Sequence, residues 1–155
     1  MHELKVQVTE VDARLVLSDG SEVTGVLFAN TSGRHGAPES ISDVLNDPSR
    51  RFVAVREQDT ARILVVAKTA IRYAGFRAVD FADLSPRPNQ TSLWHSVVTL
   101  DGGESFAGEV FIGEMRPERR RVVDVLNAGD PFFLMWVDAQ PRLVNSARVV
   151  HVCPE

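Results

Sequence analysis

The chain has 155 residues, 44% of them hydrophobic, which suffices for a buried core without disulfides. Its single cysteine, Cys153, excludes an internal disulfide scaffold and favours a reducing compartment. The formal net charge of -4 argues against a broad surface for nucleic acid, which needs clustered lysine and arginine. No apolar run is long enough to cross a bilayer and no signal-peptide pattern is visible, so we expect a soluble, cytoplasmic protein.

Strands and tight turns are predicted at the same places in both halves. Apolar and polar residues alternate from Leu4 to Val8, which predicts an opening strand, and residues 93–98 are its counterpart. Asp19-Gly20 and Asp101-Gly102 each predict a hairpin, because Asp followed by Gly tolerates the positive φ of a tight turn. A glycine follows in each outgoing strand, and we expect it to mark a bulge or a close backbone approach.

A second block, Asp-Val-Leu-Asn, occurs at residues 43–46 and again at 124–127. The apolar residues around it have i, i+3, i+4 spacing, which predicts a short helix with one apolar stripe in each half. These residues are Ile41, Val44 and Leu45 in the first half and Val122, Val125 and Leu126 in the second. An apolar strand follows each helix, and a further strand pairs Val65-Val66 and Ile71 with Leu143-Val144 and Val149.

The blocks recur in the same order at a spacing of roughly 80 residues, which indicates duplication of a unit of about 65 residues. The predicted fold is mainly β with short helices (α+β). It is a tandem repeat of two small, partly open β-barrel-like modules, each made of hairpin, short helix, strand and strand. The modules span residues 1–78 and 93–155, and the proline-rich passage between them predicts a linker at 79–92.

The order of these blocks resembles a family of short bacterial proteins of unknown function, over both halves of the chain. Because the family has no known activity, the resemblance implies none here. The segment Leu64 to Ile71 is also similar to the last motif of Sm-like barrels, in which a Lys or His before a small residue and Ile contacts RNA. That resemblance implies RNA binding, although the helix follows the hairpin here and precedes the first strand in Sm-like proteins.

Arginines concentrate before the second helix, and a flexible basic loop at residues 30–36 occupies the matching position in the first half. Guanidinium groups match phosphate oxygens, so these loops predict an anion site, while a solvated surface loop is the alternative. The candidate ligand-binding residues are Arg34, Arg116, Arg119 and Arg120.

The spacing of Arg116 and Arg120 resembles the Arg-x-x-x-Arg motif of PilZ domains, which implies binding of a cyclic dinucleotide. Asn30, Ser32 and Gly36 miss the second PilZ motif by one residue. They also precede the arginines, which reverses the family's order.

The segment Phe132 to Val137 is the most apolar of the chain, which predicts a strand buried on both faces or one that meets another surface. We expect it at an interface between the two copies or in a homodimer. The candidate interface residues are Phe132, Met135 and Trp136.

Catalytic motifs are missing from the sequence: it has no nucleophile elbow, phosphate loop or dinucleotide fingerprint. His151 and Cys153 alone do not make a metal site, so we expect no metal and no cofactor. Asp43 and Asp124 lie in the first turn of the predicted helices, where acids complement the helix dipole. The predicted function is a non-catalytic binding or regulatory module with a protein partner or a homodimer; the alternative is binding of an anion, nucleotide or RNA by the arginine loops.

Overall fold

The computed structural model describes residues 8–31, 38–84, 93–112 and 121–155. In chain order, the described residues form β1 Val8–Leu17, β2 Glu22–Asn30, α1 Ile41–Asn46, β3 Phe52–Glu57, β4 Ile63–Ala67, β5 Ile71–Phe76, β6 Leu93–Leu100, β7 Ser105–Phe111, α2 Val122–Ala128, β8 Phe132–Val137, β9 Gln140–Asn145 and β10 Val149–Pro154. Short 3-10 turns lie at Lys68–Ala70, Ala78–Leu84 and Ser146–Arg148.

All ten strands belong to one antiparallel sheet with the order β10-β6-β7-β8-β9-β5-β1-β2-β3-β4. Among the described residues, strands β10 and β4 are the two edges of this sheet, and it is not closed. The predicted class, mainly β with two short helices, is confirmed. Two separate barrel-like modules are not observed, because β5 of the first half pairs directly with β9 of the second.

Each half has the same strand order. The first half reads β5-β1-β2-β3-β4, and the second reads β10-β6-β7-β8-β9. The register also agrees, since Gly25 lies opposite Ala13 and Gly108 lies opposite Ser96. A register irregularity recurs where β5 meets β1 and where β10 meets β6.

Both predicted hairpin turns are confirmed. Asp19-Gly20 connects the antiparallel strands β1 and β2, and Asp101-Gly102 connects β6 and β7. The two glycines have φ of +87° and +94°, the left-handed conformation that favours glycine.

The glycine in each outgoing strand allows a close backbone approach. A Cβ atom at Gly25 would overlap the carbonyl oxygen of Arg56 in β3. A Cβ atom at Gly108 would overlap that of Trp136 in β8. Close approach, rather than a bulge, therefore explains both glycines.

The predicted helices are present as α1 and α2. The Ser40 hydroxyl accepts a hydrogen bond from the Asp43 amide, and the Asp43 carboxylate accepts one from the Ser40 amide, forming a capping box at α1. At α2, the Asp124 carboxylate pairs with Arg121 at the N-cap. Each acid therefore has a structural contact in the first turn of its helix, the position where an acid also complements the helix dipole.

The end of each half contains one more strand than the sequence indicated. The predicted last strand of the first half divides into β4 and β5, separated by the turn Lys68–Ala70. Strand β4 pairs with β3, whereas β5 crosses to β1. At this turn Lys68 is buried, and its ammonium group donates to carbonyls at the end of α1.

The core is shared between the halves in two clusters. Side chains of β8 alternate between them: Phe132, Leu134 and Trp136 pack with first-half residues, and Phe133, Met135 and Val137 pack in the other cluster. Val16 and Tyr73 of the first half enter that second cluster. Phe81, from the segment predicted as a linker, is also buried in the core.

Candidate functional site

The four arginines predicted to bind an anion are Arg34, Arg116, Arg119 and Arg120, and all of them lie outside the described residues. Their role stays a prediction from the sequence. The described part of the chain instead draws attention to the contact between the two halves and to the edges of the sheet.

The three candidate interface residues are buried inside the chain. Phe132 and Trp136 pack with first-half residues, and Met135 packs in the second cluster. In this structure their side chains fill the interior where the halves meet. An external partner would have to contact other residues.

The contact between the halves, which we call the joint, is built on strands β5 and β9. Tyr73 pairs with Val144, Ala74 with Leu143, and Gly75 with Arg142. Three of the side chains at this joint, those of Ala74, Leu143 and Val144, are almost completely buried. The joint therefore continues both the hydrogen-bonded ladder and the core from one half to the other.

Two asparagines fasten the joint at its ends. The Asn46 side chain, at the end of α1, accepts a hydrogen bond from the Phe132 amide (2.8 Å) and donates to the Phe132 carbonyl (3.2 Å). The buried side chain of Asn145 donates to the Ile71 carbonyl at 3.0 Å. These bonds satisfy backbone groups of Phe132 and Ile71 that the sheet leaves free.

Arginines add a polar contact across the same joint. Arg148 Nη2 donates to the Thr69 carbonyl at 2.7 Å, and its Nη1 donates to Asp101 Oδ2 at 2.9 Å. Arg72 donates to the Asp101 carbonyl and lies near the Glu104 carboxylate. The hairpin turn of the second half is thus attached to the start of β5.

The guanidinium group of Arg142 contacts two aromatic rings, 4.7 Å from the centroid of Tyr73 and 4.8 Å from that of Phe106. The two rings meet edge to face. Because Tyr73 belongs to the first half and Phe106 to the second, these cation–π contacts also span the joint.

The outer edges of the sheet contrast with the joint. Val65 in β4 occupies the position of Leu143 in β9, because they pair with equivalent residues of β3 and β8. Leu143 is 1% exposed, whereas Val65 is 70% exposed. Phe132 is 4% exposed, whereas Phe52, its counterpart in β3, is 53% exposed. Positions that the joint buries are thus uncovered at the β4 edge.

The opposite edge shows the same difference. Strand β10 occupies the place that β5 holds in the first half. Val150 is 62% exposed, and His151 is exposed where Tyr73 is buried. Helix α2 is also less covered than α1: Val125 and Leu126 are half-buried, whereas their counterparts in α1 are buried.

A groove of about 460 Å³ lies beside α1, lined by basic and apolar residues. Three of its cations, Lys68, Arg50 and Arg148, have partners within the chain. Lys68 Nζ donates to the carbonyls of Val44 (2.5 Å) and Asp47 (3.0 Å), and burial lowers the pKa of this ammonium group below 10.5. Arg50 forms two hydrogen bonds to Glu39, at 2.8 and 2.9 Å.

That ion pair also affects the acid. The hydrogen bonds from Arg50 lower the pKa of the Glu39 carboxyl below 4.5. The Glu39 carboxylate accepts a third hydrogen bond, from the Asn30 amide. The Lys68 ammonium caps the last turn of α1, and the pair of Glu39 with Arg50 ties the segment before the helix to the one after it.

Within the residues that the structure describes, no three His, Cys, Asp or Glu side chains group as metal ligands would. Neither helix in this part of the chain has the length and apolar character needed to cross a membrane.

Comparison with protein-family models, curated proteins and solved structures finds no match to this chain. The resemblances described from the sequence therefore stay predictions.

Sequence reasoning missed the edge positions. Val65-Val66 and Leu143-Val144 are matching apolar pairs of the repeat, and these pairs do not indicate that Leu143 is covered and Val65 exposed. One sequence feature pointed to the joint: the repeated Asp-Val-Leu-Asn block has an asparagine at both 46 and 127. Of these two, Asn46 forms hydrogen bonds across the joint.

Proposed function

We propose that this protein is a non-catalytic binding module that acts through protein–protein contacts at its free sheet edges. The observation that carries the proposal is the 70% exposure of Val65 on the edge strand β4. A free strand edge offers a row of amide and carbonyl groups, and an added strand is a common way of binding a protein partner.

The composition of β4 supports this proposal. Natural edge strands usually carry charges, proline or bulges that discourage pairing. Strand β4 has the sequence Ile-Leu-Val-Val-Ala, without any of these charged or proline residues. Ile63 and Val65 are both exposed on it, and Phe52 is exposed on the neighbouring strand.

The contacts of three cations in the groove beside α1 also agree with binding at the sheet edges. Lys68, Arg50 and Arg148 each bond to groups of the same chain, in contacts that hold α1 and the joint in place. These intramolecular contacts give each of the three cations a structural role, which explains its position.

The repeat belongs to this proposal. We infer that the two halves descend from one duplicated unit, supported by their shared strand order and by the matched glycine registers. We also propose a cytoplasmic site of action, because the one cysteine is an exposed free thiol.

Site-specific photo-crosslinking in cells tests the function. A photoreactive amino acid replaces Val65, and in the control it replaces Val79, which is 69% exposed and lies outside the strands. We expect a protein adduct from position 65 and little or none from position 79. Equal labelling at the two positions, or no adduct at position 65, would contradict the proposal.

A further inference from the structure

The joint between the halves uses two strands whose counterparts are the two free edges of the sheet. Strand β9 of the second half pairs with β5 of the first. The counterpart of β9 is β4, and the counterpart of β5 is β10. We propose that chains assemble head to tail, with β10 of one chain pairing with β4 of a second copy in the way that β5 pairs with β9. This inference rests on the proposed function and names the partner.

The register of the joint specifies the register of this contact. The pairs Tyr73 with Val144, Ala74 with Leu143, and Gly75 with Arg142 define it. Transferred to the free edges, they become His151 opposite Val66, Val152 opposite Val65, and Cys153 opposite Leu64 of a second copy. Pro154, which has no amide hydrogen, takes the place of Phe76 and lies beyond these three pairs.

Burial supports a second copy over an unrelated partner. At the joint, the β9 edge is covered by the strand and core of the other half. At the β4 edge, Val65 and Phe52 are exposed at the positions where Leu143 and Phe132 are buried. The surface that covers this position inside the chain is the β5 side of a half, and the other free edge of every chain is the equivalent β10 side.

The residues of the asparagine contact at the joint also have counterparts near the free edges. Asn46 binds the backbone of Phe132 across the joint. Asn127 holds the same place in α2 and is exposed, and Phe52 holds the place of Phe132. In the assembly, the amide of Asn127 reaches the backbone of Phe52 of the second copy.

The geometry also predicts that the assembly extends beyond a dimer. The contact joins two different edges, so a pair of chains keeps one free β10, on one chain, and one free β4, on the other. Contacts of this head-to-tail kind close into rings or continue as filaments. A two-fold dimer through β4 with β4, or β10 with β10, would stop at two chains.

Disulfide trapping tests the register directly. Directly opposed residues of antiparallel strands have Cα atoms about 4.5–5.5 Å apart, within the range of a disulfide. The variant Leu64→Cys, with the native Cys153, should therefore form disulfides between chains under mild oxidation, giving a ladder of dimers, trimers and larger species in a non-reducing gel.

The control is Val79→Cys, whose introduced thiol is exposed but lies outside the strands of the predicted pairing. We expect about tenfold more linked chain from Leu64→Cys, since paired strands raise the effective concentration of the thiols. Linkage no greater than in the control would overturn the inference, and so would a product that stops at two chains. If Leu64→Cys fails to fold, the mass of the unmodified chain in solution tests the proposal instead. A monomer at every concentration overturns it.

Failure of this inference is distinguishable from failure of the proposed function. If position 65 crosslinks in cells to a different protein while the purified chain stays monomeric, the binding function stands and the second copy is wrong. If position 65 gives no adduct, both are wrong.

Discussion

Replacing Asn46 with alanine tests whether the two halves are held together as the structure describes. The Asn46 side chain bonds to both the amide and the carbonyl of Phe132, and to the Ser42 hydroxyl at 3.3 Å. Alanine removes these bonds and leaves two polar backbone groups of a buried residue without their partner. Each such group costs about 1–3 kcal/mol when it is fully buried.

Asn46 is half-buried, so water replaces part of the loss. We therefore expect Asn46→Ala to lower the free energy of unfolding by about 2–3 kcal/mol. For a chain of this length, that corresponds to a fall in Tm of about 5–10 °C. The change in the free energy of unfolding is measured by urea unfolding at low protein concentration, followed by tryptophan fluorescence and by circular dichroism.

Asn127→Ala is the matched control, because Asn127 ends the same Asp-Val-Leu-Asn block and is exposed. We expect it to change the unfolding free energy of the dilute protein by less than about 0.5 kcal/mol. Equal losses for the two variants would refute the reasoning, since they would show that the asparagine acts within its own helix rather than across the joint.

Three further variants test the core, the ion pair and the glycine contact. Leu143→Ala should cost about 2–5 kcal/mol in urea unfolding, and Val65→Ala less than about 1 kcal/mol, because only Leu143 is buried; similar losses would contradict the assigned burial. Hydrogen bonds from Arg50 hold the pKa of Glu39 below 4.5 in the folded state. The ionised carboxylate therefore stabilises the fold above pH 4.5, and this contribution is lost as the pH falls through the lower folded pKa. Glu39→Gln should therefore lose about 1–2 kcal/mol at pH 7 and show a smaller drop in Tm than the unmodified chain between pH 5 and pH 3; parallel pH profiles would count against this pair. Gly108→Ala should cost about 1–3 kcal/mol, since the added Cβ overlaps a carbonyl of β8; an unchanged Tm would show that the strands separate easily.

Local signals predicted the local structure of this chain. The Asp-Gly pairs specify hairpins because the turn itself requires positive φ, and Gly20 and Gly102 adopt it. The apolar stripe of Ile41, Val44 and Leu45 is buried under α1, as helical spacing requires.

The merging of the halves into one sheet could not be predicted in this way. Pairing of β5 with β9 joins residues about 70 positions apart, and no turn or period marks it. Val65 and Leu143 are matching apolar residues of the repeat, and the order of strands decides that Val65 is at an edge and Leu143 inside. The candidate arginines were found by charge clustering, which carries no information about what surrounds them.

Sedimentation velocity of the purified chain over a range of concentrations tests the central claim that the free edges pair. We expect species above 17.1 kDa, in whole multiples of it, for the unmodified chain and for Val79→Lys. Val65→Lys places a charge in the predicted contact and should leave a monomer. A 17.1 kDa species at every concentration of the unmodified chain, or equal dissociation by both lysine variants, would contradict the account.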